Sequence, residues 1–533
     1  VANHDVVIIG AGIGGLTCAI ELALAGCGVT VVERSAGLGG KMREVMVDGV
    51  GIDAGPTVLT MRWVFEALFE RAGAKLGDYV TLKPLSVLAR HAWSDSERLD
   101  LFADQGRSAE AIGDFAGARE AAGYLAFCAE AQRIYQTLKD SFLTVQKGGP
   151  ISLAQRVGLH RLGALMAIRP YETLWRALGD HFHDPRLRQL FGRYATYCGS
   201  SPFEAPATLM LIAHVEQAGV WTVEGGMQRL AEALGQLAAS LGVIFRLSTH
   251  VDRIEVSKGR ARGVVLAGGE RLVADTVVTN ADARARTSGL LGPAVAQPRA
   301  RPVERSLSAV TWALKATTQG FPLARHNVFF SNDYAAEFDD LFKRGRLPGA
   351  PTVYVCAQDR DEPDAGDASP RGARPERLFI LMNAPAQDQS TPDHPAQNES
   401  AASAERELAT CETQVFQVLQ RCGLAVERTG ASAIRTTPAM FNALFPATGG
   451  ALYGQATHGW AAAFARPAGR TPTPGLYQAG GGAHPGAGAP MAALSGRLAA
   501  QALLSDLASA RSFHRVATPG GISMRSATIG NSA

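Results

Sequence analysis

Lysine is scarce in this chain of 533 residues: it supplies 8 of the 52 basic side chains and arginine the other 44. The formal net charge is only +3, too small to imply a nucleic-acid partner. Beside abundant alanine, the arginine excess reads as codon-composition bias, not as a set of phosphate contacts. Cysteine is sparse as well. There are seven, an odd number with no C-x-x-C among them, which excludes a disulfide framework and points to buried reduced thiols in a cytosolic protein. No apolar run reaches the roughly 18 residues of a membrane-spanning helix, which leaves attachment to a membrane surface open. The first strand begins at Val6, and no signal peptide is expected ahead of it. Metal ligands lack a pattern too. His181 and His183 would share a face only on a strand, and Pro185 follows closely; no metal site is expected.

What is present starts at once. Val6-Val7-Ile8-Ile9 is a β-branched run, Gly10-Ala11-Gly12-Ile13-Gly14-Gly15 a glycine turn, and an apolar helical stretch leads to Val29-Thr30-Val31-Val32-Glu33. This is a βαβ unit in which Gly10, Gly12 and Gly15 fit G-x-G-x-x-G. They serve a tight turn, backbone approach to a pyrophosphate, and close helix–strand packing. The helix N-terminus offers free N–H groups to the phosphates. Glu33, 23 residues after Gly10, ends the second strand where a carboxylate accepts hydrogen bonds from ribose hydroxyls. A dinucleotide is therefore expected.

The next residues favour a flavin dinucleotide over a nicotinamide one. Gly37-Leu38-Gly39-Gly40-Lys41 lets a second loop cross close to the cofactor, and Asp53-Ala54-Gly55-Pro56-Thr57 makes a further turn. Met61 to Ala72 reads as an amphipathic helix, and residues 80–103 as short strands forming a small sheet. Residues 107–215 have helical periodicity broken at Lys147-Gly148-Gly149-Pro150, with Phe127, Ile134, Leu138 and Phe142 on one face. Ile151 to Leu178 is apolar with Arg156, His160, Arg161, Arg169 and Arg176 interspersed. It is either a core-facing helix pair or a surface that lies on a bilayer. Glu224-Gly225-Gly226-Met227 is a second glycine turn before a helix, and Val273 to Asp282 brings a strand back to the parallel sheet. Strands are expected at 307–314, 352–357 and 378–383, a helix near 402–421, and exposed loops over 360–376 and 384–403. At the end, Gly480-Gly481-Gly482-Ala483-His484-Pro485-Gly486-Ala487-Gly488-Ala489-Pro490 leads into a helix from about Met491 to Ala508, with Pro490 suited to its first turn.

These pieces imply an α/β fold: a discontinuous Rossmann-like FAD-binding domain (1–105, 216–300 and 455–510), a helical membrane-facing cap (106–215), an inserted α+β substrate domain (301–454) and a flexible tail (511–533). The glycine turns at Gly225-Gly226 and at Gly480 to Gly488 are expected to join the N-terminal loop as a three-part flavin site.

Taken together, the motifs resemble the bacterial carotenoid desaturase family, the phytoene-desaturase type of flavoprotein. The resemblance is carried by the N-terminal fingerprint through Asp53-Ala54-Gly55-Pro56-Thr57 and by Tyr197-Cys198-Gly199-Ser200-Ser201-Pro202-Phe203-Glu204-Ala205-Pro206-Ala207. Gly219-Val220-Trp221, Phe445-Pro446-Ala447-Thr448-Gly449-Gly450 and His484-Pro485-Gly486-Ala487-Gly488-Ala489-Pro490 add to it. It covers roughly 4–505 and is strongest toward the branch that desaturates C-3,4 of 1-hydroxycarotenoids such as 1-hydroxyneurosporene. It implies FAD as cofactor, held by Gly10, Gly12, Gly15, Glu33, Gly39, Gly40, Lys41, Val251, Gly480, Gly481, Gly488 and Met491. In the wider amine-oxidase-like superfamily a carboxylate commonly follows the glycine of the C-terminal flavin motif. Here Gly481 or Gly482 occupies that place.

The implied chemistry is hydride transfer from an allylic carbon to the flavin and proton loss from the neighbouring carbon. Glu204 and His484 are weak candidates for the base: Glu204 reads equally as a capping carboxylate and His484 as a turn-setting residue. Lys41 either adds positive charge near the ring or is solvated. A carotenoid partitions into lipid, so the expected protein is cytoplasmic, peripherally attached to the inner membrane, with an unidentified electron acceptor. Other readings of the scaffold are phytoene desaturase, carotenoid isomerase, amine or porphyrinogen oxidase, and a non-enzymatic binder of prenylated proteins. A plain nicotinamide dehydrogenase is disfavoured by the extra glycine segments.

Overall fold

The computed structural model describes residues 4–158, 162–297, 303–360, 374–387 and 401–514. The opening β-branched run forms the strand Asp5–Ile9, the glycine turn leads into the helix Ile13–Leu24, and the chain returns as the strand Gly28–Val32. These two strands are the centre of a five-stranded, all-parallel sheet, ordered 476–478, 276–279, 5–9, 28–32, 244–246. Strands from three distant parts of the chain meet here, so the nucleotide-binding unit is discontinuous. Parallel strands are covered on both faces, and the uninterrupted Val/Ile runs supply that burial: Val6, Val7, Ile8, Val29, Val31, Val277 and Val278 are all buried.

One face of this sheet carries Ile13–Leu24, Gln228–Ser240 and the long helix Ala489–His514. The first and last of these cross with backbones nearly touching. A Cβ at Gly496 would lie 2.1 Å from the Gly14 carbonyl oxygen, so only glycine fits. This contact brings the C-terminal glycine loop to the N-terminal one.

The second layer is a seven-stranded sheet ordered 424–436, 308–320, 376–384, 353–357, 326–329, 87–92, 98–102. Its pairs are antiparallel except 326–329 with 87–92. The strands of 80–103 are thus divided. Val87–Ala92 and Arg98–Phe102, grouped with the nucleotide unit in the sequence reading, extend this second sheet, because the buried edge His326–Phe329 gives Val87–Ala92 a partner. Leu82–Pro84 instead pairs with Trp221–Val223. The helix Ala401–Arg421 packs on the sheet through Cys411, Val415, Val418 and Leu419, and its Glu412 Oε2 accepts the Trp312 indole N–H at 3.0 Å.

Between Gln105 and Gln217 the described residues are mainly helical, as the periodicity predicts, in separate helices joined by turns. Phe127, Ile134, Leu138 and Phe142 are buried on one face, and Phe127 packs edge-on and tilted against Phe182 and Phe191, with ring centroids 5.4 and 4.8 Å away. The break at 147–149 separates the π-turn Lys139–Leu143 from the helix Pro150–Val157. His160, Arg161 and the tail from 515, with most of the two expected polar loops, lie outside the described residues. No helix among the described residues is long and apolar enough to cross a membrane.

Candidate active site

Two cavities meet in the interior. The first, about 390 Å³, is lined by Gly10, Gly12, Glu33, Gly39, Gly40, Lys41, Val251, Gly480, Gly481 and Gly488, ten of the twelve residues assigned to the cofactor. Gly15 and Met491 are not among its walls. Gly15 sits one turn into the helix, where a Cβ would fall 2.1 Å from the Gly10 carbonyl oxygen; it permits packing, not ligand contact. Met491 projects from the first turn of the C-terminal helix into the second cavity. The turn at Gly225-Gly226 also stays clear of the first cavity. It packs on Asp53, whose buried carboxylate accepts the Met227 N–H at 2.8 and 3.0 Å, so this third wall of the expected flavin site is structural.

The walls are built from backbone. Gly10 has φ +97°, which the turn requires. Asn280 fills the inner side of the loops: a Cβ at Gly12 would approach its Nδ2 to 2.8 Å, and one at Gly480 its Oδ1 to 2.7 Å. The Asn280 Oδ1 is buried and unpartnered. Glu33 Oε2 accepts the Ala11 N–H and Oε1 the Ser35 N–H, both at 2.8 Å. Lys41 is not solvated. Its Nζ donates to the Leu452 carbonyl at 2.5 Å, and burial pulls its pKa down to about 8 against the opposing pull of Asp282. Asp282 also lines the cavity, and a Cβ at Gly482 would come 3.3 Å from its Oδ2. A carboxylate thus lies beside Gly482 although the C-terminal motif carries none; it also accepts the Arg284 N–H at 2.9 Å as the cap of the helix Ala283–Thr287.

The second cavity, about 820 Å³, is walled mainly by apolar side chains such as Leu88, Leu138, Phe142, Leu209, Ile212 and Phe464. It shares Gly55, Pro56, Phe379, Leu381, Tyr453 and residues 487–489 with the first. The N-terminus of the helix Ala489–His514 stands at this shared wall, where its dipole favours negative charge. Glu216 is the one carboxylate among the described residues lining the apolar cavity. It accepts Tyr194 and Tyr197 hydroxyls at 2.6 and 2.9 Å.

Neither candidate base faces a cavity. Glu204 is 43% exposed and lies 3.2 Å from His458 Nδ1, which also meets Glu304 at 2.7 Å. His458 Nε2 accepts the Ser201 N–H at 2.9 Å, so this trio ties the 197–207 motif to the 457–460 loop. His484 donates from Nε2 to the Val145 carbonyl at 3.0 Å with the Phe142 ring 4.8 Å away, and burial lowers its pKa to about 4. It fastens the cofactor loop to the helical layer. His181 and His183 sit at the end of a helix and after it, the former 3.0 Å from Glu130.

Several site residues escape sequence reasoning. Arg466, buried, donates to the carbonyls of Tyr453, Gly481 and Gln455 at 3.2 Å each and so joins three loops of the site. Among so many arginines nothing marks it. Asn280 and Asp282 follow a strand whose end, by the sheet order, must reach the glycine loop; that was the available signal.

A glycine-built dinucleotide cradle opening onto a large apolar cavity defines a flavin-dependent oxidoreductase. The chain matches the flavin containing amine oxidoreductase family over residues 13–316. Its backbone resembles an oxidoreductase from Methanosarcina mazei (TM-score 0.57, 17% identity, covering 94% of this chain and 100% of that one), a likeness of fold alone. It is 51% identical to the hydroxyneurosporene desaturase of Rubrivivax gelatinosus, over 100% of this chain and 99% of the relative. To that of Cereibacter sphaeroides it is 46% identical over 95% and 98%. The chain belongs to the carotenoid desaturase family of FAD-dependent oxidoreductases.

Proposed function

We propose that this enzyme introduces a C-3,4 double bond into an acyclic 1-hydroxycarotenoid such as 1-hydroxyneurosporene. The observation that carries this reading is the apolar cavity of about 820 Å³ sharing its wall with the dinucleotide cavity. A polyene can lie there with its end against the cofactor. The names of the relatives support the substrate class. FAD supplies the hydride acceptor. The protein's part is to hold and shield. Apolar walls exclude water from the polyene, whose delocalisation spreads positive charge without a neighbouring anion. Glu216, occupied by two tyrosine hydroxyls, puts no free carboxylate beside it. The first turn of the helix Ala489–His514 and the ammonium of Lys41 place positive potential at the cofactor.

The experiment is incubation of FAD-loaded protein with 1-hydroxyneurosporene followed by pigment chromatography. Desaturation lengthens the chromophore by one double bond, whereas isomerisation does not.

The reading extends to the membrane. Met166, Tyr171 and Trp460 line the apolar cavity yet are 66%, 71% and 45% exposed, with the Tyr171 and Trp460 rings 5.5 Å apart. Ile151, 77% exposed, lies beside the lining residues Pro150 and Leu153. An apolar mouth of this kind suits a peripheral enzyme on the cytoplasmic face of the inner membrane, drawing substrate from lipid. Liposome flotation tests it: wild type floats, and a Met166→Ser/Tyr171→Ser/Trp460→Ser variant stays in the soluble fraction. Equal flotation of both contradicts it.

A further inference from the structure

The apolar cavity holds a polar spot that the reaction at a carbon–carbon bond does not need. Arg193 is buried. Its Nη1 donates to Tyr197 Oη at 2.9 Å, and its guanidinium lies 5.1 Å from the Tyr197 ring centroid. The Arg193 Nε and Nη2 have no partner. His326 is 2% exposed. Its Nδ1 pairs with Tyr354 Oη at 2.7 Å, and Tyr354 Oη in turn pairs with Thr57 Oγ1 at 2.7 Å. The His326 Nε2 likewise has no partner. Both side chains line the apolar cavity. Buried polar groups without partners are costly, and these two side chains are held in place by the Tyr197 and Tyr354 hydroxyls on their opposite sides.

The spot stands near the cofactor end. In the sheet, His326 is paired with Cys356, Cys356 with Phe379, and Tyr354 with Leu381. Phe379 and Leu381 are among the residues that wall both cavities. Burial and the nearby charges of Arg325 and Arg193 pull the His326 pKa down to about 3, so it stays a neutral hydrogen-bonding group and is poorly suited to take up a proton.

We infer that Arg193 and His326 form the recognition site for the C-1 hydroxyl of the substrate, with the Arg193 Nε/Nη2 edge donating to the hydroxyl oxygen and His326 Nε2 pairing with the same group. This rests on the function proposed above and deepens it. C-1 is separated from C-3 by a single carbon, so a hydroxyl there must lie beside the reacting bond, near the shared wall. A hydroxyl both donates and accepts, and so pairs with either tautomer of His326. A site built to hydrogen-bond a hydroxyl discriminates strongly against an analogue lacking it, because its own buried polar groups are then left unpaired.

The test measures kcat/KM of the FAD-loaded enzyme on 1-hydroxyneurosporene and on neurosporene, both delivered in liposomes. Wild type is expected to favour the hydroxylated substrate by at least about ten-fold. Arg193→Met and His326→Leu are each expected to lower that ratio by about ten-fold or more at unchanged FAD content, through loss on the hydroxylated substrate and a gain on neurosporene, which no longer leaves these polar groups unpaired. His326→Gln, which keeps an N–H near the Nε2 position, is expected to recover part of the ratio. A wild-type ratio near one, or variants that slow both substrates equally while retaining FAD, overturns the assignment. The wild-type ratio decides even where a variant fails to fold. Complete absence of desaturation of either substrate by wild type overturns the proposed function instead, a distinguishable result.

Discussion

Glu33 Oε2 accepts the backbone N–H of Ala11 at 2.8 Å, so the acid that closes the second strand also clamps the glycine loop that opens the first helix. Its other oxygen is held by the Ser35 N–H. The carboxylate is thereby oriented before any ligand arrives, with lone pairs remaining for ribose hydroxyls. Glu33→Ala removes a charged acceptor and strands the buried Ala11 donor. FAD affinity is expected to fall by roughly thirty-fold, about 2 kcal/mol, with Glu33→Gln intermediate. Flavin fluorescence titration of the apoprotein reads this; unchanged affinity in Glu33→Ala contradicts it.

Gly496 lies outside every recognised motif, yet its α-carbon faces the Gly14 carbonyl where a Cβ would sit at 2.1 Å. Gly496→Ala must push the two helices apart, at about 1–3 kcal/mol. A lower Tm with weaker FAD retention is expected, because the crossing sets the distance between the two glycine loops. An unshifted Tm would show that the helices yield freely.

Lys41 titrates at about 8 in the folded chain, against 10.5 unperturbed. Between those values the unfolded state binds a proton that the folded state lacks, so this residue makes stability rise as pH increases from 8 to 10.5. Lys41→Met should flatten that part of the stability curve. Denaturant melts of both proteins at the two ends of the window measure the slope; identical slopes would refute the assignment.

Glu204 contacts His458 at the surface and faces neither cavity. Glu204→Gln is expected to leave kcat within about two-fold of wild type and to cost under about 1 kcal/mol of stability, the usual scale for exposed ion pairs. A kcat loss of two orders of magnitude would restore it as a catalytic group.

Local physics explains how far the sequence could be read. Gly10, Glu33 and the Val/Ile runs announce themselves because turn, strand and phosphate cradle are all local and periodic. The discontinuity was legible too, since Val273–Asp282 reads as a strand returning to the parallel sheet. Contacts between distant loops were not. Asp282 lies beside Gly482, and Arg466 joins three loops, but neither relation has a sequence spacing. Gly225-Gly226 misled because a glycine turn before a helix serves Asp53 as well as it would serve a phosphate. The pairing of Val87–Ala92 with His326–Phe329, more than 200 residues away, was likewise invisible.

The central claim is that this chain couples flavin reduction to formation of one new carbon–carbon double bond in a hydroxylated polyene. Anaerobic single turnover of the FAD-loaded enzyme with 1-hydroxyneurosporene tests it most directly, by following the flavin and polyene absorption bands together. The account predicts bleaching of oxidised flavin in step with a red-shifted polyene, one product per flavin. A polyene that only changes geometry, or that stays unchanged while the flavin remains oxidised, would contradict it.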